Sequence, residues 1–345
     1  METIYCVTGA AGHLGKHIAD KLVQQGKKVR IFVLPGESSR WTVGAEVVIG
    51  DITDIKTIEP LFIKSPDQEI CVIHCAGIVS ITEKYDAKVY AVNVEGTKNI
   101  VDLCLINSVK KFVYISSVHA AYCQKGINNE QDLIFDVKKV SGNYAKSKCI
   151  ATEYVLSACK KGLNGVMLLP SGIIGGGQQR RDHLTEMFKL FCEGKLKAAI
   201  KGGYDFVDVR DVADVAITAA ENENAKGLYL VSAGRFMLKE LLGYAAEHLN
   251  VKKTKLYLSA KFVALFAPFC EAYYALKKKT PLFTKCSLQV ISSGITYSTE
   301  KAKQELAFNP RPMQETVEYA IDYLIKSGVA VKRKIKPKNN KKHAE

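Results

Sequence analysis

The chain lacks an apolar run of the ~20 residues that a membrane-spanning helix needs. Its most lipid-like stretch, Phe262 to Cys270, is nine residues without charge, holds Pro268, and is flanked by Lys261 and Glu271. A helix that packs on the core or lines a pocket is expected there, with weak membrane-surface contact, helped by Lys277, Lys278 and Lys279, as the alternative. A leader of basic and apolar regions is also missing. Glu2-Thr3-Ile4-Tyr5-Cys6-Val7 reads as a strand that runs straight into a glycine-rich turn, so a cytoplasmic location is expected. No second pair of Cys or His stands at zinc-finger spacing from Cys71 and Cys75, so no metal is expected. The ten cysteines are scattered, several inside apolar patterns where a thiol behaves as a small buried hydrophobe. That usage argues against a disulfide framework and suits a reducing compartment.

Acids are in short supply, 35 against 49 Lys and Arg, giving a formal charge of +14. Seven of the bases, from Lys332 to Lys342, lie in the last 15 residues with Glu345 as the one acid, which leaves +8 for residues 1–330. A basic, disordered tail over 331–345 is expected, and the charge does not by itself argue for a nucleic-acid partner. What is plentiful is apolar: 47% hydrophobic against 24% charged residues, the balance of a globular protein, in a chain long enough for a substantial core.

Strand-length apolar runs recur at Thr3–Val7, Lys28–Leu34, Glu46–Ile49, Ile70–Cys75, Lys111–Ile115 and Gly165–Leu169. Helical periods fall between and after them, at His17–Gln25, Val89–Ser108, Tyr144–Lys160, Leu184–Glu193 and Met237–Leu249. Nearly continuous apolar strands alternating with helices predict an α/β fold, a doubly wound parallel sheet covered on both faces. After Leu169 the alternation loosens. Residues 1–172 and 207–232 are read as a dinucleotide-binding domain, and 173–206 with 233–330 as a smaller substrate lobe.

Thr8-Gly9-Ala10-Ala11-Gly12-His13-Leu14-Gly15 follows the first strand and opens the first helix. Glycines there permit a tight turn, close approach of backbone to a pyrophosphate, and close helix–strand packing, with the helix N-terminus offering N–H groups. A bare glycine motif is weak, but its position after strand one is the context it requires. At the end of strand two, Leu34 stands where an acid for the ribose hydroxyls of NAD is expected. Glu37 would serve NAD, whereas Ser38, Ser39 and Arg40 would hold the extra phosphate of NADP; the cofactor is read as NAD(P), leaning to NADP.

Tyr144 and Lys148 lie four apart, which on a helix puts them on one face about 6 Å apart between Cβ atoms. A free phenol titrates near ~10, and an adjacent ammonium lowers it toward the range of a general base. A chance pair on a solvated helix is the bland alternative.

These features, with Gly50-Asp51-Ile52, His74-Cys75-Ala76-Gly77, Asn93-Val94-Glu95-Gly96-Thr97, Tyr114-Ile115-Ser116-Ser117, Pro170-Ser171-Gly172-Ile173 and Asn309-Pro310-Arg311, occur in one order. In this the chain resembles the extended short-chain dehydrogenase/reductase family over residues 1–327. The branch is the one with dihydroflavonol reductases, 3β-hydroxysteroid dehydrogenases and proteins called NAD-dependent epimerase/dehydratase. The resemblance implies a Rossmann-type domain with a C-terminal substrate lobe. It implies that Gly9, Gly12, His13, Leu14, Gly15, Arg40, Asp51, Ile52, Ala76, Gly77, Asn93, Lys148, Pro170, Ser171 and Ile173 attend the cofactor, Asp51 at the adenine and the 170–173 loop at the nicotinamide carboxamide. Ser117, with Ser116 a near competitor, would hydrogen-bond the substrate oxygen. Tyr144 would exchange its proton, and Lys148 would lower the phenol's pKa while binding the ribose. Leu169 replaces an Arg that many members carry, and Gly175-Gly176-Gly177 replaces a more usual Gly-Pro.

His119, Tyr204 and Phe206 are candidates for the substrate pocket, with Phe262–Tyr274 as a further wall; each has a structural role as its alternative. The expected activity is hydride transfer to or from a secondary alcohol or ketone of a hydrophobic or aromatic small molecule. A nucleotide-sugar epimerase, dehydratase or reductase, drawing on Arg180, Arg181 and Lys201 for a diphosphate, is the competing enzyme. A dinucleotide-binding sensor without turnover is the competing non-enzyme. Helices 89–108 and 144–160 would form the interface of a homodimer.

Overall fold

Along the first strand, β1 (Glu2–Thr8), Ile4 and Cys6 belong to one apolar cluster and Tyr5 and Val7 to another, and all four are buried. Such a strand is stable only with cover on both faces. The computed structural model, which describes residues 1–37, 42–80, 85–177, 183–265 and 285–331, supplies that cover.

After β1 come β2 (Lys28–Val33), β3 (Glu46–Ile49), β4 (Gln68–His74), β5 (Lys111–Ile115), β6 (Gly126–Asn128) and β7 (Gly165–Pro170). The later strands are β8 (Gly172–Ile174), β9 (Ala198–Lys201), β10 (Gly203–Asp208), β11 (Gly227–Val231), β12 (Gly234–Met237), β13 (Leu256–Ser259) and β14 (Ile295–Tyr297). The helices are α1 (His13–Gln24), α2 (Ile55–Ile58), α3 (Ala87–Tyr90), α4 (Thr97–Ile106), α5 (Asn143–Lys160) and α6 (His183–Cys192). They continue with α7 (Val209–Glu221), α8 (Leu238–Leu249), α9 (Lys285–Ser292), α10 (Glu300–Leu306) and α11 (Met313–Lys326).

Seven strands form one parallel sheet in the order β11-β7-β5-β4-β1-β2-β3. Helices α1 and α7 pack on the Tyr5–Val7 face, α4 and α5 on the Ile4–Cys6 face. The strand order reverses between β1 and β4, and a doubly wound sheet opens its ligand crevice at the carboxyl ends of the strands there. This is the expected Rossmann-type arrangement.

The second lobe has its own apolar core, in which Phe188, Phe191, Leu241, Leu242, Val317 and Ile321 are buried. Its sheets are β12-β10-β8 and the pair β13–β9, and β14 reaches back to β6. β10 runs unbroken across the boundary expected between 206 and 207. The glycine run 175–177 is explained by crowding: Gly177 has φ +89°, and a Cβ there would lie 2.6 Å from the His17 ring.

One expectation needs correction. The segment read as one helix over 89–108 is α3 and α4 joined by a π-helical turn, Ala91–Gly96. A Cβ on Gly96 would lie 2.6 Å from the Ile52 side chain, so the turn lies tight against the loop after β3. Of the stretch Phe262–Tyr274, residues 262–265 are described and the rest lie outside the described residues; these four are helical, with Val263 packed on the lobe core and Phe262 and Leu265 exposed. No helix among the described residues is long and apolar enough to cross a membrane.

Candidate active site

β1 hands the chain to α1 through a turn with no room for side chains. Gly9 has φ +66°, and a Cβ on it would lie 2.7 Å from the Ala76 nitrogen; one on Gly15 would lie 2.3 Å from the Gly9 carbonyl oxygen. Backbone therefore faces the crevice beyond β1 and β4. Gly12 gives α1 no side-chain cap and the first turn holds no acid, so the positive helix end is left for an anion. His13 donates through Nε2 to the Gly176 carbonyl at 2.9 Å, which fastens this turn to the second lobe.

Tyr144 and Lys148 occupy the start of α5, and Lys148 is only 5% exposed. The Ser117 hydroxyl, at the end of β5, lines the same cavity as the Tyr144 phenol and accepts the His119 N–H at 3.2 Å. Ser116 is committed to Thr152 at 2.7 Å, so Ser117 is the serine turned to Tyr144. The Lys148 ammonium points elsewhere than expected. It donates to the Ile115 carbonyl at 2.7 Å and the Tyr114 hydroxyl at 3.3 Å, and lies 4.7 Å from the Tyr114 ring centroid.

The electrostatics follow from burial. Desolvation raises the Tyr144 pKa above the ordinary phenol value, with the Ser117 hydroxyl pulling the other way. Desolvation also lowers Lys148 to about 8. The expectation that the ammonium draws the phenol's pKa down is not met in this arrangement, because Ile115 and Tyr114 hold the charge. Tyr114 stood in the sequence as part of a motif without a role; a phenol inside an otherwise apolar central strand was the available signal.

Beneath these groups runs a buried polar chain. Thr8 Oγ1 donates to His74 Nδ1 at 2.7 Å and His74 Nε2 donates to Thr97 Oγ1 at 3.1 Å; Thr97 in turn donates to the Asn93 carbonyl at 2.8 Å. His74 is held neutral, its pKa lowered to about 3 by burial and by the charge of Lys148. Asn93, on the π-helical turn, is fully buried: its Oδ1 accepts from Ile78 N at 2.7 Å, and its Nδ2 donates to Ile78 O and Ser147 Oγ, each at 2.9 Å. It is thus a positioning residue for the 76–78 loop and α5 rather than a cofactor contact, because every polar atom of its amide is already used inward. Asn93→Ala removes the partner of both backbone polar groups of the half-buried Ile78 and of the buried Ser147 hydroxyl, so a loss of roughly 2–4 kcal/mol of stability is expected. Chemical denaturation checks it, and a loss under about 1 kcal/mol would remove the assignment.

A cavity of about 640 Å³ opens above these residues. Gly9, Gly12, His13, Leu14, Gly15, Gly77, Pro170, Ser171 and Ile173 line one end, with Ser117, Tyr144 and Lys148 at its centre. His119 and Tyr204 line the rest, together with residues the sequence did not single out: Tyr122, Cys123, Val140, Ile291 and Tyr297. These come from segments that only the tertiary fold brings together. Burial lowers the pKa of His119, favouring neutral imidazole, and raises Cys123 to about 11. Phe206 is a correction: it is fully buried in the lobe core, against Tyr204 at a ring-centroid separation of 4.1 Å, and does not line the cavity.

The glycine end fits a dinucleotide. A Cβ on Gly77 would lie 3.2 Å from Asn93 Oδ1 and 3.6 Å from Lys148 Nζ, so bare backbone adjoins the ammonium. Ser171 Oγ is buried with no hydrogen-bond partner, a polar atom waiting for one at the cavity wall. Ala76 supports the turn, its N–H donating to Thr8 Oγ1 at 3.2 Å. Asp51 accepts from Thr53 N and Oγ1 at 2.9 and 2.8 Å, and the Ile52 side chain is buried against Gly96. Arg40, Arg180 and Arg181 lie outside the described residues.

A family model described as the NAD dependent epimerase/dehydratase family matches residues 5–232. The mouse protein named Short-chain dehydrogenase/reductase family 42E member 1 is 28% identical, over 92% of this chain and 87% of its own. Sterol demethylase protein B of Methylococcus capsulatus is 24% identical, over 94% and 98%. The crystal structure of gox2253 superposes with a TM-score of 0.77 at 25% identity, covering 96% of this chain and 99% of that one.

Proposed function

The chain belongs to the NAD dependent epimerase/dehydratase family, as an enzyme of the extended short-chain dehydrogenase/reductase type, and from that premise we propose which reaction it performs. It moves hydride between nicotinamide and the carbinol carbon of a hydrophobic or aromatic secondary alcohol or ketone, with Tyr144 as the general acid and base. The observation that carries the reading is the meeting of Ser117, Tyr144 and Lys148 in a cavity lined mainly by apolar and aromatic side chains.

When bound, the nicotinamide supplies or accepts the hydride. The chain does the rest. Ser117 Oγ, on the same cavity wall as the phenol, orients the substrate oxygen beside it. Tyr144, its pKa raised, holds its proton at neutral pH and can deliver it to a carbonyl oxygen as alkoxide character develops. Lys148 stands beside the bare backbone of Gly77, placed to bind ribose hydroxyls, and adds positive charge where the oxygen becomes negative. Ser171 supplies a hydrogen bond at the nicotinamide end. The lean to NADP rests on Ser38, Ser39 and Arg40, with Leu34 in the place of an acid.

The nucleotide-sugar reading needs cations for a diphosphate beyond the catalytic centre. Among the described cavity residues the lysines are Lys139 and Lys148, and Lys201 is exposed and not among them. A relative named for sterol demethylation supports the apolar alternative. The test is oxidation of NADH and NADPH with a panel of apolar ketones and nucleoside-diphosphate sugars. Apolar ketones are expected to turn over, at least tenfold faster at equal concentration; turnover of the sugars alone would replace this reading, and binding of dinucleotide without any turnover would leave a sensor.

A further inference from the structure

We infer that the edge of the second lobe formed by β9 and β13 docks on an anionic lipid bilayer. The parallel pairing of Ala198 with Leu256 and of Lys201 with Ser259 brings two segments together, 195–201 and 251–265. They hold seven lysines, at 195, 197, 201, 252, 253, 255 and 261, and no acid. All seven are exposed. Lys195 and Lys253 pair with Glu193 and Glu247, each at 2.7 Å, whereas Lys197, Lys201, Lys255 and Lys261 enter no ion pair with the described residues. Lys197 and Lys255 are the residues just before the first pair of that register, Ala198 with Leu256, so their charges leave the same end of the two strands. Like charges gathered in this way repel, and an anionic surface removes that cost.

Apolar side chains stand among the cations. Leu256 is 52% exposed, Phe262 54% and Leu265 70%. Residues 262 and 265 are three apart on one helical turn that begins at 260, and Ala260 and Val263 anchor that turn in the lobe core. Lysines around projecting Leu and Phe match a lipid surface, where charge meets headgroups and apolar tips enter the acyl boundary. Nucleic acid would use the lysines and leave the leucines in water. The edge also adjoins the cavity: Leu196, between Lys195 and Lys197, is one of its wall residues. A docked chain would therefore hold its cavity beside the phase in which an apolar substrate dissolves, a consequence that rests on the substrate class proposed above, although the docking itself does not.

The test mixes the full-length protein with vesicles of phosphatidylcholine alone or with phosphatidylserine added, and reads the bound fraction by flotation. Binding to the anionic vesicles, weakening as salt rises, is expected. Two double variants are compared after thermal melts confirm folding: Lys197→Glu with Lys255→Glu, and Phe262→Ser with Leu265→Ser. At roughly fivefold per lysine, charge reversal should lower binding by twentyfold or more. The serine variant should lower it at least tenfold, and both should turn over a water-soluble ketone as the parent does. Equal binding to both vesicle types, binding kept by both variants and so carried by the tail, or a folded chain that binds an oligonucleotide through these lysines and no vesicles, would each overturn the proposal. Vesicle binding without any ketone turnover would uphold the docking edge and remove only the enzymatic reading.

Discussion

Tyr144→Phe is expected to cut turnover by about a thousandfold while leaving dinucleotide affinity unchanged, the middle of the range for removal of a general acid. The substitution removes one oxygen and keeps the ring, so α5 keeps its packing and no cavity forms. What disappears is the proton donor that shares the cavity with Ser117. The raised pKa fixes the pH behaviour of the parent. With the phenol protonated through neutrality, ketone reduction stays level with pH, whereas alcohol oxidation needs the phenol to lose its proton and therefore accelerates as pH rises toward alkaline values. Single-turnover rates in both directions, with cofactor titration by fluorescence, check both statements. A variant within tenfold of the parent would end the role given to Tyr144.

Lys148→Met is expected to slow turnover by about a hundredfold, the scale of one lost electrostatic stabiliser, and to carry a second signature that a spectator residue would not. The Lys148 pKa is depressed from 10.5 to about 8 by burial. Between about pH 8 and 10.5 the unfolded chain thus binds a proton that the folded chain has released, so this group makes stability rise with pH across that window. Below pH 8 the cost of the buried charge is fully present. The methionine variant lacks the cost but leaves the Ile115 carbonyl and the Tyr114 hydroxyl without their donor. Its melting temperature relative to the parent should therefore fall by a few degrees on going from pH 7 to pH 10. A difference that stays flat with pH would mean that Lys148 keeps its proton in the folded chain across this range, its pKa not depressed.

The glycine turn and the Tyr144–Lys148 spacing were legible because both are local: each depends on one strand end or one helix. The parallel sheet was legible for a related reason, since strands such as Gly165–Pro170 are buried on both faces and show it as unbroken apolarity. The direction of the Lys148 side chain was not legible, because it is decided by Tyr114 and Ile115, which reach it only through the packing of β5 on α5. The π-helical turn at Ala91–Gly96 escaped because a single extra residue leaves an apolar stripe almost in phase. Tyr204 and Phe206, two apart on β10, share a face and look alike in sequence. Only the surroundings separate the cavity wall from the core. Tyr297 and Cys123 lie 174 positions apart in sequence, and their meeting is a product of β14 pairing with β6.

That last pairing has a mechanical meaning. Gly126 N donates to Gly294 O at 3.1 Å and Ser298 N to Asn128 O at 2.8 Å, while Tyr297 N donates to the buried Asp205 carboxylate at 3.1 Å. The first two bonds stitch the lobes by main chain beside the cavity, which Ile295 and Tyr297 line, and the third anchors the seam within the second lobe. A jaw-like swing would have to tear this seam and expose its amides, so the lobes form a strapped vessel and the traffic of ligands is a matter of its mouth rather than of its hinge.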